Sequence, residues 1–286
     1  MARPGKLDQD EDQGPGKHVR TTLFQELGEF VLLMGTMATW WQLQIGRAQL
    51  QTTLERNRKE LNLSREVRVT ELFTNATDRL GSESLVIRLG GIYALERIAR
   101  DSPRDRRPIV EVLSAFVRER ARWSGDESLP KRTRLQSPDI DIQAILTVLG
   151  RRDATNWRQE EVKISLAHTD LRGADLISAH LEGMIFSEAH LEKADLIEVH
   201  LEDTLCNRAH LEGAYLIRAH LERAVLQGAN LDGARFDGAH LDGALLNKEH
   251  LEGALDLTEE QIESVYTDYE QWERARDEWW AGAKRL

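Results

Sequence analysis

Seven histidines, His180, His190, His200, His210, His220, His240 and His250, stand ten or twenty residues apart, each directly before a leucine. Imidazoles at fixed intervals can ligate a transition metal, move protons, or arise as a by-product of a repeating geometry. Ligation requires several ring nitrogens to converge and outer partners to hold each tautomer. Other chemistry has no motif here: there is no phosphate-cradling glycine loop, no nucleophile elbow and no His-x-x-x-His zinc helix. The lone Cys206 excludes an intramolecular disulfide framework and a multi-cysteine zinc site. Asp/His pairs occur, but any repeat with polar columns produces them. The expectation is therefore a protein without catalytic residues, metal site or cofactor, whose His and Glu side chains form a solvated, mutually satisfied surface that protonation near pH 6 modulates.

What positions the histidines is a period of five. From Ile164 to Gly253 the chain divides without an insertion into eighteen units such as ADLIS, AHLEG and ANLDG. The third residue of each is Leu in fifteen units, Phe186 and Phe236 in two and Cys206 in one, and the residue two before it is usually Ala. Neither a helix of period 3.6 nor a strand of period 2 accommodates such a pattern. A large and a small apolar residue in every unit imply stacked coils sharing one interior. Just before the unit centre Ile185, Leu205, Val225 and Leu245 recur at 20 residues, and just after it Ile177, Ile197 and Ile217 do the same. Only stacking makes outer positions repeat at 20, so one coil takes four units and the solenoid has four sides. His180, His200, His220 and His240 then share one wall, and His190, His210, Asn230 and His250 the opposite one, with neighbours roughly 4.8 Å apart. Cys206 points inward as inert packing.

Two sets of outward residues are candidates for partner binding. The first comprises the apolar stripes Ile185, Leu205, Val225, Leu245 and Ile177, Ile197, Ile217, since aligned apolar groups mark docking sites. The stripes are expected to dock on the protein's own helices or on a second chain. The second comprises the acidic columns Glu182, Glu202, Glu222, Asp242 and Glu192, Glu212, Asp232, Glu252. Residues 164–253 hold 7 basic and 16 acidic side chains, most of the chain's net charge of −11. That sign excludes direct nucleic-acid binding through phosphates. Charge density is about one per 2.4 Å over a rod of roughly 22 Å, against about one per 1.7 Å in duplex DNA, a span of only some six or seven base pairs.

Outside the repeat, residues 1–22 read as a polar, disordered arm without signal-peptide features. Residues 23–45 contain FVLLMGTMATWW, uncharged but shorter than the roughly 20 residues that cross a bilayer. A span, a helix lying on a membrane, and a helix packed on a partner all remain open for it. Residues 46–163 supply a stalk, in which Leu43, Leu50, Leu54 and Leu61 keep a partial heptad around Asn57, and a helical module. The stalk reads either as a short coiled coil or as a single amphipathic helix. In the module Leu85, Leu89, Ile92, Leu95 and Ile98 form one helical face ended by Pro103. Pro108 opens the next helix with Ile109, Val112, Leu113, Phe116 and Val117 inward. Ser137 and Pro138 cap a third, carrying Ile142, Ile145, Leu146 and Leu149 and ending at Gly150. The repeat domain is assigned to 164–256. Residues 257–286 open on a Thr258/Gln261 capping box and put Ile262, Val265, Tyr266, Tyr269, Trp272 and Trp279 on one helix face. That helix either caps the last coil or makes a homodimer.

The units ADLIS, ANLDG and ADLIE resemble the pentapeptide-repeat family, and the resemblance covers 90 of the 286 residues. It implies a right-handed quadrilateral parallel β-helix, here preceded by an α-helical module and followed by a C-terminal capping helix. The stretch RLGGIYALERIARDSP, with LFTNATDRLGSES before it, is similar to a bacterial branch with an N-terminal apolar segment and a helical module. The role of that branch is mostly undefined; the missing catalytic motifs, the filled rod and the apolar stripes lead to the expectation of a non-catalytic protein-interaction scaffold, cytoplasmic given its single cysteine, and attached to the inner face of the cell membrane if residues 23–45 bind lipid. The alternative that the family resemblance implies is a DNA-mimicking modulator of a type II topoisomerase that protects gyrase.

Overall fold

The computed structural model describes residues 16–123, 138–151, 163–251 and 253–283. Residues 1–15 of the expected arm, Ser137, Glu252 and the side chain of Trp279 lie outside the described residues. Helix α1 (Gly16–Leu80) begins within the segment assigned to the arm and continues through the apolar segment and the stalk. No Gly or Pro interrupts it between Arg47 and Leu80. Its residues up to Arg68 form a unit of their own. There Phe30, Trp40, Trp41, Leu50, Leu54 and Leu61 are all exposed. Among the described residues no helix is long and apolar enough to cross a membrane, so the reading of 23–45 as a span is not carried further.

The second unit begins at Val69. Helices α2 (Leu85–Asp101), α3 (Arg106–Arg120) and α4 (Ile140–Gly150) pack against one another. Each buries one stripe at helical spacing: Ile92, Leu95 and Ile98; Ile109, Leu113 and Val117; and Ile142, Ile145, Leu146 and Leu149. The last turn of α1 joins them through Ala76 and Leu80. A Cβ on Gly91 would lie 2.7 Å from the Ala76 carbonyl oxygen, so glycine there permits the close approach of α2.

Two charged residues that helix patterning assigns to solvent lie inside this module. The Nε of Arg88 stands 2.7 Å from Oδ2 of Asp141, and both side chains are buried. Arg88 Nη1 also donates to the carbonyls of Ser82 and Glu83, while Asp141 Oδ1 accepts the N–H of Ile142. A buried pair is tolerated only when its remaining donors and acceptors are satisfied in this way, and removing one partner of such a pair costs about 3–5 kcal/mol.

From Ser165 onward, parallel bridges join residue i to residue i+20, one bridged residue per side of each coil rather than an extended strand. Four walls result. The Ile185 wall holds Ser165, Ile185, Leu205, Val225 and Leu245; the His190 wall holds Asp170, His190, His210 and Asn230. The Tyr215 wall holds Asp175, Asp195, Tyr215, Arg235 and Leu255; the His200 wall holds His180, His200, His220 and His240. Inside, the unit centres and their alanines are buried, and they form one continuous core with α2, α3 and α4. The corner is a turn closed by bonds such as Ala174 N–H to Leu171 O, and its second central residue has positive φ, as in Gly173 at 63°. Type II turns need that sign at that place, which explains the glycine closing many units. Among the described residues nine non-glycine corner residues also adopt it, including Ser178, Lys193 and Arg218.

A stack of coils has two open ends, and both are closed by protein. At the N-terminal end Arg122 bridges Thr169, Asp170 N–H donates to Ala121 O, and His180 N–H donates to Gly150 O. On the Tyr215 wall the side chain of Gln143 replaces a strand: its Nε2 donates to Asp175 O and its Oε1 accepts from Asp175 N–H. Arg118 Nη1 donates to Ser165 O on the remaining wall. The helical module is thus the first cap. Gly150 ends α4 without a left-handed φ, against the sequence expectation of a glycine C-cap. Its function is proximity, since a Cβ there would sit 2.7 Å from the Ala179 Cβ.

At the C-terminal end one continuous helix was expected and two are found, α5 (Glu259–Glu263) and α6 (Tyr269–Ala283). The Thr258/Gln261 capping box is present. Gln261 additionally donates from Nε2 to the carbonyls of Phe236 and Ala239. The helix breaks because Tyr266 pairs with Leu245 as the next rung of the Ile185 wall. Asp268 then restarts it, accepting the N–H groups of Glu270 and Gln271.

Because Gly150 touches the first coil, Gly150→Ala is expected to lower stability by about 1–3 kcal/mol through overpacking. Urea unfolding followed by circular dichroism checks this: the midpoint falls while the slope is unchanged.

Candidate functional site

On the two histidine walls the rungs stack. Ring centroids lie 4.5 Å apart for His180–His200, 4.5 Å for His200–His220, 4.8 Å for His220–His240 and 4.1 Å for His190–His210, with ring planes within 17° of parallel. Trp123 extends the His190 wall, its ring stacking at 3.6 Å on His190 and lying 5.0 Å from the Arg172 guanidinium above it. The hydrogen bond that Arg172 donates to Asp170 holds its guanidinium above its usual pKa. His250, expected on the same wall, instead lies in a 3-10 turn (Lys248–Leu251), its Nδ1 buried without a hydrogen-bond partner. Asn230 takes the rung before it and donates to Glu212.

His180, His190, His200, His210 and His220 are each tied to the carboxylate two residues on. Nδ1 to Oε1 distances are 2.9 Å in His180–Glu182, 2.8 Å in His190–Glu192, 3.2 Å in His200–Glu202, and 3.4 Å in His210–Glu212 and His220–Glu222. An ionised carboxylate only accepts, so the proton sits on Nδ1 and the lone pair on Nε2. Three groups, His180/Glu182/His200, His190/Glu192/His210 and His200/Glu202/His220, bring one ligand atom each within 4.8 Å of one another. Their ring planes are nearly parallel, however, so the lone pairs run side by side instead of meeting at one point. Capture of one ion by both imidazoles of a group would require the rings to leave the stack. As built, these walls are hydrogen-bonded ladders.

The acidic columns follow from the same contacts. Glu182 is buried and Glu192, Glu202, Glu212 and Glu222 are half-buried, while Asp232 and Asp242 are exposed. At the corners basic residues meet acids one coil away: Arg218 with Glu198 at 2.8 Å, Arg223 with Asp203 at 2.8 Å and Arg235 with Asp256 at 2.9 Å. Much of the negative charge is thereby matched on the surface that carries it.

The apolar stripes have different fates. On the Ile185 wall Val225 and Leu245 are buried beneath Trp272 of α6, with Leu205 and Tyr266 packed around them. Arg276 lies 4.9 Å over the Trp272 ring, and Tyr269 tilts against it at 5.7 Å. Tyr266, Tyr269 and Trp272 therefore act in closing this wall. On the opposite side Ile177 is 48% exposed, Tyr215 42% and Leu255 49%, with Ile197 and Ile217 half-buried. Single-residue spacing could not separate a covered stripe from an open one. Trp123, Gln143 and Gly150 were also missed as cap residues, although an unpaired first coil demands some such partner.

A filled, four-walled coil of five-residue units defines a solenoid repeat protein. Residues 164–203 and 205–254 match the family described as pentapeptide repeats (8 copies). That segment consists of pentapeptide repeats. Among solved structures it is similar to a pentapeptide repeat protein of the Arabidopsis thaliana thylakoid lumen, at 24% identity over 34% of this chain and 63% of that one, with a TM-score of 0.25. It is also similar to HetL, a pentapeptide repeat protein involved in heterocyst differentiation regulation in the cyanobacterium Nostoc, at 30% identity over 29% of this chain and 38% of that one, with a TM-score of 0.17. A third is QnrB1, a plasmid-mediated fluoroquinolone resistance protein, at 15% identity over 29% of this chain and 51% of that one, with a TM-score of 0.19. This chain thus spans less than two thirds of the length of each. No curated protein sequence matches it.

Cys206 occupies a unit centre, and burial pushes its thiol up to about 11, opposed by its hydrogen bond to Thr204. It is expected to stay unlabelled by a thiol-reactive chromophore in the native protein at pH 8 and to react fully in denaturant, because only the thiolate attacks.

Proposed function

We propose that the protein is a non-catalytic interaction scaffold that binds a protein partner on the Tyr215 wall. The observation that supports this reading is the apolar stripe of Ile177, Ile197 and Ile217 along the corner that borders this wall, Ile177 exposed and the other two half-buried, next to exposed Tyr215 and Leu255 on the wall itself. The coil interior is occupied by its own leucines and alanines, so the walls carry whatever the protein recognises. Two walls are committed to internal His–Glu hydrogen bonds, and a third is closed at its C-terminal end by Trp272. The partner is a protein surface with an apolar strip, since aligned apolar groups between polar rims suit such an interface. The membrane enters as a second contact: Phe30 to Trp41 offer exposed apolar and indole groups to the surface of a bilayer, on its cytoplasmic side. Topoisomerase modulation by DNA mimicry has less support, because Glu182, Glu192, Glu202, Glu212 and Glu222 are bound to His Nδ1 and Glu198, Asp203 and Asp256 are paired with arginines.

Ile177→Arg combined with Ile217→Arg is expected to reduce partner capture by about tenfold or more, roughly 1.4 kcal/mol, with circular dichroism unchanged. Surface plasmon resonance on the captured partner reads this; equal loss in the Asp242→Asn control defeats the reading. Co-sedimentation with anionic vesicles is expected to fall when Phe30 and Trp41 are both changed to Glu. Unaltered gyrase supercoiling in the presence of the protein is expected as well.

A further inference from the structure

We infer that residues 40–64 of α1 pair with the same segment of a second copy of this chain, as a parallel, in-register, two-stranded coiled coil. The helix from Phe30 to Arg68 has its apolar side chains in water, Leu50 at 59% exposure and Leu54 at 58%. An isolated helix gains little from intrinsic propensity, and its stability in proteins comes from burying one face. Past the apolar tract at its start this stretch is amphipathic: Trp40, Leu43, Leu50, Leu54 and Leu61 fall on a seam of alternating three- and four-residue steps, while Trp41, Ile45 and Leu63 lie off it. Trp40, Arg47, Leu54 and Leu61 take the a positions, and Leu43, Leu50, Asn57 and Ser64 the d positions.

Three features of this seam select a second copy over another partner and over a membrane. Polar residues, Arg47 and Asn57, interrupt it at single layers, and Ser64 ends it. Buried against lipid or a continuous apolar groove they would lose their hydrogen bonds, whereas in a symmetric pair Asn57 meets Asn57 and fixes the register at some cost in stability. Arg47 reaches past the seam to water along its apolar stem. The flanking positions are also complementary in the parallel arrangement: Glu60 at g faces Arg65 at e of the other helix, twice by symmetry, and both are exposed in the single chain. Finally, the uninterrupted helical geometry of α1 runs through the whole seam. The inference is independent of the wall reading, because no residue of the solenoid takes part.

The test uses the full chain. Sedimentation velocity at micromolar concentration is expected to give twice the chain mass, and Leu54→Asp is expected to halve it while the helical dichroism of the remaining domain is retained. Leu50→Cys and Leu61→Cys, in a protein whose natural Cys206 is buried, should each form a disulfide-linked homodimer on mild oxidation. Thr52→Cys, on the outer face, should not. Monomer at all concentrations overturns the proposal, whether or not that monomer sediments with vesicles. Cross-linking at only one of the two seam positions overturns the parallel register, because an antiparallel pair can bring no more than one seam layer against itself. Equal cross-linking at Thr52 shows collision rather than a seam and overturns it too.

Discussion

The backbone ladder between residue i and residue i+20 is the constraint from which the other features of this protein derive. Every unit turns a corner after its inward leucine, and the amide groups on either side of that leucine bond to the coils above and below. Such a ladder cannot end without leaving donors and acceptors unpaired. The helical module and the C-terminal segment supply the missing partners by quite different devices, a glutamine side chain and a helix carbonyl at one end, a tyrosine rung and a capping-box glutamine at the other. Burial of the leucines stabilises the coil, but the ladder decides where every outward residue stands.

That placement explains the histidines. With two units per half coil, a residue type favoured at one place in the unit appears on opposite walls at ten-residue intervals. Stacking at strand spacing then puts each imidazole face against the next, and the glutamate two residues on is within reach of Nδ1 in the same coil. The result is a surface whose titratable groups are engaged with one another. An apolar stripe in the same framework has no such internal partner, so it is either covered by another element, as Trp272 covers Val225 and Leu245, or left open, as at Ile177 and Tyr215. The distribution of committed and open walls is what gives the solenoid a direction for recognition.

Residues in the helical module carry a related lesson about charge. Arg88 and Asp141 sit on helices whose apolar stripes are easily read, yet they face inward because α2 and α4 meet there and because Ser82, Glu83 and Ile142 complete their hydrogen bonds. Gly150 likewise looks like a helix terminator in the chain and is a contact surface in the fold. In both cases the residue type is ordinary, and the neighbour that gives it a role lies tens of residues away.

The sequence by itself determined the repeat, its four-unit coil, the inward leucines, the two histidine walls and the capping box at Thr258 and Gln261, because all of these follow from interactions at a fixed spacing along the chain. It also marked the amphipathic faces of α2, α3 and α4, whose period is local. Tertiary structure alone decided which ends and walls are covered: Trp123 against His190, Gln143 on Asp175, Gly150 against Ala179, Tyr266 as a rung in place of a helical turn, and His250 off its wall. Those contacts join segments whose separation in sequence has no periodic relation to the repeat, so their energies depend on how two independently formed surfaces meet.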